Sequence, residues 1–220
     1  ATAFYGLGDY GDWGTRNYYC NHETAGVRSL FTRYLVTGEV CDFVNACAHA
    51  QHQRDIDQVH FQYGITAVQT HNGYNNHSYS FHTGHFWLTG LIWHYFLTGD
   101  RRSYESAVSA MAVLIEKSGL KYPRGRERHR MLYHLAEVYG FTGHDILKKA
   151  FERQYNAGGA SDGSAYYGAI SYEALDKLYE VTGEQHYLDR LVKEMRAFEK
   201  ANKVDFLPMP ENRGERATQG

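Results

Sequence analysis

The sequence predicts an all-α fold, a curved or ring-like α/α array (an α/α toroid) of about four helical hairpins. Three observations carry this expectation. A short motif, Tyr-x-x-Thr-Gly followed by a polar residue, occurs four times. Apolar residues flank the copies at i, i+3, i+4, i+7 spacing, the signature of one buried helix face. None of the three prolines falls inside those stripes, as helix interiors require.

The copies are Tyr34-Leu35-Val36-Thr37-Gly38-Glu39, Tyr95-Phe96-Leu97-Thr98-Gly99-Asp100, Tyr139-Gly140-Phe141-Thr142-Gly143-His144 and Tyr179-Glu180-Val181-Thr182-Gly183-Glu184. Their spacings of 61, 44 and 40 residues lie in or near the range of helical-pair repeats. A glycine just past the last helical turn takes the left-handed conformation that ends a helix. An acidic residue after it sits where the next helix dipole favours negative charge. Each copy therefore reads as a tight link between two helices. Before the links, Val27, Leu30, Phe31, Tyr34 and Leu35 share a face, as do Trp87, Leu88, Leu91, Ile92, Tyr95 and Phe96, and Leu132, Leu135, Ala136 and Tyr139. After them, Val40, Phe43, Val44 and Cys47, then Val108, Met111, Ala112 and Ile115, then Leu188, Leu191, Val192 and Met195 repeat the pattern.

The chain reads as one helical domain over residues 1–220, whole or as a piece of a larger multidomain enzyme. Residues 54–81 interrupt it as a long insertion rich in His, Asn, Tyr and Gly, the kind of segment that forms lids or binding loops. Segments 118–126 and 156–165 are shorter Gly-rich connectors, and 203–220 is a polar tail. The net charge of −2 argues against nucleic acid as a general electrostatic partner. No apolar run has the length needed to cross a bilayer. The three cysteines, Cys20, Cys41 and Cys47, have no zinc-finger spacing. A secreted or periplasmic location is expected.

Aromatic residues make up 15% of the chain, with 19 Tyr, and there are 13 His. Surplus aromatics suit stacking against sugar rings, and equally suit amphipathic core packing. If the links form one rim of the array, the starts of the first helix of each hairpin gather at the other. Those starts are polar. The first carries Asn21, His22 and Glu23; the second Tyr79, His82, His85 and Trp87; the third Arg124, Arg126, Arg128, His129 and Arg130; the fourth Tyr166, Tyr167 and Tyr172. Arginines and helix N-termini attract carboxylates, and Tyr or His exchanges protons at a sugar carbon. An acidic polysaccharide or oligosaccharide is the expected partner.

The candidate catalytic residues are accordingly His22, Tyr79, His82, His85 and Tyr166. The candidate substrate-binding residues are Asn21, Glu23, Trp87, Arg126, Arg128, Arg130 and Tyr167. A Tyr acting as base needs a lowered pKa, which a nearby Arg provides. Residues 124–130 read equally as a solvated basic helix start, and His94 and His134 as structural. His49, Asp55, Asp57 and His60 form a candidate divalent-metal set, although no stringent zinc signature is present. Asp55 and Asp57 also read as a carboxylate pair for glycoside hydrolysis.

The order of motifs adds a family resemblance. Gly11-Asp12-Trp13-Gly14 precedes Asn21-His22-Glu23, the first link, His52-Gln53-Arg54-Asp55-Ile56-Asp57 before His60, and His82-Thr83-Gly84-His85 before a Trp-rich helix. Over residues 9–117 the chain resembles the helical catalytic domain of the exo-acting rhamnogalacturonan lyase-like family. It is similar, more loosely, to other α/α-toroid polysaccharide lyases. The resemblance implies β-elimination at a uronic acid with no required cofactor, and flanking β-domains outside this chain. Full toroids of this kind often have six or seven hairpins, so four imply an incomplete ring. Two other readings stand beside the lyase: a glycoside hydrolase using Asp55, Asp57 or Glu23, and a non-catalytic carbohydrate-binding scaffold.

Overall fold

The computed structural model describes residues 25–58, 68–69, 79–80, 87–117, 125–158 and 165–202. They form eight α-helices in four hairpins: α1 (Gly26–Thr37) with α2 (Val40–His52), α3 (Thr89–Thr98) with α4 (Arg101–Lys117), α5 (Arg126–Thr142) with α6 (Asp145–Asn156), and α7 (Ala165–Thr182) with α8 (Gln185–Asn202). The protein is all-α apart from a two-residue antiparallel pair, β1 (Val68–Gln69) and β2 (Tyr79–Ser80), in which Val68 faces Ser80 and Gln69 faces Tyr79. None of the described helices is long and apolar enough to cross a membrane.

All four links have the expected glycine geometry. Gly38, Gly99, Gly143 and Gly183 have φ of 76°, 77°, 67° and 70°. Each donates its N–H to the carbonyl of the motif tyrosine four residues back, at 2.7–2.8 Å, which closes the left-handed helix cap. The motif threonine completes the turn. The hydroxyls of Thr37, Thr142 and Thr182 donate to the carbonyls of Arg33, Val138 and Leu178 at 2.8, 2.8 and 2.7 Å, and Thr98 does the same to His94. Each threonine oxygen also accepts the N–H of the residue after the glycine, at 3.2 Å for Glu39, 3.1 Å for Asp100, 3.4 Å for His144 and 3.1 Å for Glu184. One hydroxyl therefore back-bonds to the carbonyl one turn earlier in the ending helix and satisfies an orphan N–H at the next start. Asp100 adds a side-chain cap, accepting the Arg102 N–H at 3.0 Å.

The hairpins stack in sequence order. Within the first row, α1 packs on α3, α3 on α5 and α5 on α7. Side chains join the second row in the same order. Arg54, beyond the end of α2, reaches Asp100 at the start of α4 (2.7 Å); Arg153 of α6 reaches the Ile115 carbonyl of α4 (3.3 Å); and Arg190 of α8 reaches Glu152 of α6 (2.6 Å). The core lies mainly between the rows: Phe31, Leu91, Leu132, Leu135, Phe151, Leu175 and Tyr187 are buried. Each such side chain contributes about 1.5–3 kcal/mol by leaving water.

The segment expected as a loop from residue 54 begins in helical form. α2 widens after His52 into a π-helical turn, Gln53–Asp57. Gln53 then donates its side-chain N–H to the Trp87 carbonyl at 2.6 Å, drawing together the two ends of the insertion.

Candidate functional site

Counting back from each link glycine shows how the repeat builds a site. Ten residues before Gly38, Gly99, Gly143 and Gly183 stand Arg28, Thr89, Tyr133 and Glu173. This position is polar in every hairpin. Because the links are alike and the first-row helices stack side by side, the four residues lie at one level of the array.

They meet around Glu137, one turn further along α5 from Tyr133. Tyr133 donates its hydroxyl to Glu137 Oε1 at 2.8 Å, and Thr89 donates its hydroxyl to Oε2. Arg28 donates to the Tyr133 hydroxyl and stands 3.3 Å from Glu137 Oε1 and 3.8 Å from Glu173 Oε1. Thr89, Tyr133 and Glu137 are buried. The Arg28 side chain is 32% exposed and that of Glu173 57%, so these two are the parts of the cluster that solvent reaches.

Trp87, two residues before α3, flanks the cluster. The Arg130 guanidinium lies 3.9 Å from its ring centroid, and the rings of Tyr133 and His134 meet it edge-on, with centroids 5.9 and 5.5 Å away. Arg130, Tyr133, His134 and Glu137 follow i, i+3, i+4, i+7 spacing and form a polar stripe along α5.

Burial sets the proton affinities here. It raises the pKa of Glu137 above the ordinary glutamate range, and the Arg28, Thr89 and Tyr133 contacts only partly offset this. Burial and then the Glu137 charge raise Tyr133, keeping the phenol protonated. Burial, reinforced by Arg130, lowers His134 to about 3, so it is a neutral imidazole at ordinary pH. For Arg28 the carboxylates and the tyrosine outweigh burial, and its pKa is raised.

The residues singled out from the sequence divide as follows. Trp87 and Arg130 join the cluster. Arg128 is buried and turned the other way: its Nη2 donates to the carbonyls of Gln154 (2.8 Å) and Tyr155 (3.2 Å), fastening the start of α5 to the end of α6. Arg126 is the first residue of α5, Tyr79 lies in β2, and Tyr166 and Tyr167 lie in the first turn of α7; their side chains are outside the described set. Asn21, His22, Glu23, His82 and His85 lie outside the described residues.

Of the candidate metal set, His49 is buried near the end of α2. The Asp55 carboxylate accepts two bonds from Arg54, both 2.7 Å, and one from Arg102 at 3.3 Å. The Asp57 side chain and His60 lie outside the described residues. Among the described residues no three His, Cys, Asp or Glu side chains gather to hold an ion.

Arg28, Thr89, Tyr133, Glu137 and Glu173 were not reached by reading helix starts. The signal that finds four of them is the register: aligned on Thr-Gly, the position ten residues back is polar four times, and the position eight back is leucine four times (Leu30, Leu91, Leu135, Leu175); Glu137, six residues before Gly143, has no counterpart in that pattern.

Fold and site together define a class: an all-α array of helical hairpins in which one register position of the repeat assembles an Arg–Tyr–Glu cluster beside a tryptophan. No protein-family model, curated protein or solved structure matches the chain.

Proposed function

We propose that this protein acts on a uronate-containing, rhamnogalacturonan-like glycan by β-elimination, its four hairpins forming part of an α/α toroid. The observation that supports this most is Arg28: a partly exposed guanidinium held in place by Tyr133 and Glu137. In this reading Arg28 binds the uronate carboxylate and neutralises it, which acidifies the C5 proton. A base removes that proton, the C4–C5 double bond forms and the C4–O bond breaks, with a proton delivered to the leaving oxygen. Tyr133 stays protonated, which suits a donor and not the base. The base is drawn from Tyr79, His82, His85 and Tyr166, with His22 and Asn21 near the sugar, all on sequence grounds. No cofactor is required. A divalent metal at His49, Asp55, Asp57 and His60 has no step in this chemistry. Secretion or a periplasmic location, and flanking β-domains, belong to the same proposal.

The test is to incubate the protein with rhamnogalacturonan, polygalacturonate and a glucuronan and follow the ultraviolet absorbance of unsaturated uronate. The wild type is expected to generate it, and R28A to lose about 100-fold in rate. Turnover that yields no unsaturated product would sink the elimination.

One observation favours hydrolysis as a second reading. Glu137, with its raised pKa, and the exposed Glu173 both lie within 4 Å of Arg28. In that reading Glu173, the exposed carboxyl, acts at the glycosidic bond and Glu137 holds Arg28 beneath it. New reducing ends without unsaturation, lost in E173Q, would select it.

A further inference from the structure

We infer that Glu137 is the positioning residue of this site, the one carboxyl that locks Arg28 and Tyr133 in register and sets how strongly Arg28 attracts an anion. The inference rests on the reading of Arg28 as the carboxylate anchor, and it deepens that reading.

The geometry carries it. Glu137 is 4% exposed, so it does not reach a ligand itself. Its two oxygens are shared among three helices of the first row: Thr89 of α3 on Oε2, Tyr133 of α5 on Oε1, and Arg28 of α1 at 3.3 Å from Oε1. The fourth first-row helix faces the same point through Glu173, 3.8 Å from Arg28. All three groups touching Glu137 are donors. A carboxylate accepts from all three; an amide of the same shape keeps them, its oxygen toward Tyr133 and Arg28 and its nitrogen toward Thr89, whose hydroxyl also accepts. Tyr133 stands between Arg28 and Glu137, accepting from the first and donating to the second. Movement of the carboxyl therefore displaces the phenol and the guanidinium together.

Two opposing effects follow. The Glu137 charge fixes Arg28 in place, and the same charge repels an incoming carboxylate. Removing the charge while keeping the shape strengthens binding of an anion. Keeping the charge while shortening the side chain weakens it, because Arg28 and Tyr133 lose their seat. A role in folding alone makes both changes act in the same direction.

Calorimetric titration of the full chain with tetragalacturonate distinguishes these cases, using wild type, R28A, E137Q and E137D, with circular dichroism to check each variant's helicity. E137Q is expected to bind about fivefold more tightly than wild type, the relief of one like charge roughly 6 Å away, and E137D to bind more weakly. If E137Q does not fold, T89V tests the same anchor at constant charge: weakened binding at native helicity supports the inference, and unchanged binding overturns it. Wild type and R28A that bind equally, or not at all, overturn the Arg28 reading and this inference with it. R28A that binds more weakly while E137Q and E137D match wild type, or fall together, overturns the role of Glu137 alone.

Discussion

Gly90 of α3 lies directly against Val27 of α1: a Cβ added to Gly90 would stand 2.5 Å from the Val27 Cβ and 3.2 Å from the Arg28 backbone nitrogen. Only a residue without a side chain lets these two helices come so close. The contact adjoins Thr89 on one helix and Arg28 on the other, so it sets the separation at which both reach Glu137. The substitution G90A is expected to destabilise the fold by about 1–3 kcal/mol through overpacking. It should also weaken anion binding as Arg28 is pushed away. Urea denaturation and titration with tetragalacturonate check the two effects, and full stability in G90A would contradict the close packing.

The link glycines make a cleaner case, because nothing lies within 4 Å of a Cβ placed on Gly38 or Gly183. Their φ values of 76° and 70° leave only the backbone penalty. G38A and G183A are each expected to lose about 1–2 kcal/mol. The losses should add in the double variant, since the two links belong to the first and last hairpins. Chemical denaturation of the three variants measures this.

Arg54 ties the end of α2 to the start of α4 near the insertion. It is buried, donates to Asp100 and Ser103 at 2.7 and 3.1 Å, and holds Asp55 by two further bonds. Burial works to raise the Asp100 pKa, but Arg54 outweighs it and the net shift is downward. A lowered folded-state pKa supplies stability above the unfolded value, which disappears as pH falls through the folded value. D100N is expected to destabilise the protein by roughly 1–3 kcal/mol at neutral pH. The difference from wild type should shrink in strong acid, where Asp100 is protonated in both states. Melting curves across pH test this.

His134 gives a second pH effect with its own window. Its folded pKa is lowered to about 3 by burial and Arg130, while an unfolded histidine titrates near about 6.5. Between those values the unfolded chain binds a proton that the folded chain refuses. Stability therefore falls with falling pH, by up to about 1.4 kcal/mol per pH unit for one such group. His94, lowered chiefly by burial, adds in the same sense. H134F keeps a flat ring against Trp87 and removes one titration. Its stability should decline less steeply than that of wild type between pH 6.5 and 4, and an identical slope would contradict the assignment.

The hairpins were legible because their determinants are local. A glycine with no Cβ, a threonine hydroxyl and a polar cap act within six residues, so four copies of one motif announced four links, and the flanking stripes announced the helices. The insertion was less legible: a π-turn at Gln53–Asp57 has no period that distinguishes it from a loop. The basic run 124–130 reads as one cluster in the sequence, and its described side chains part company in the fold. Successive helical residues point about 100° apart, so Arg128 turned to the carbonyls of α6, His129 to Ser171 of α7 and Arg130 to Trp87. A cluster in sequence became three contacts on three sides of one helix.

By itself the sequence determined the helices, their links and the order of the hairpins, since these follow from backbone preferences and from which faces are apolar. It also contained the four polar residues ten positions before each glycine, without marking them as partners. Only the tertiary structure decided that Arg28, Thr89, Tyr133 and Glu173 surround Glu137. That outcome depends on how closely α1 and α3 approach at Gly90 and on how each helix is rotated against its neighbours, which are properties of packed surfaces and not of any one segment.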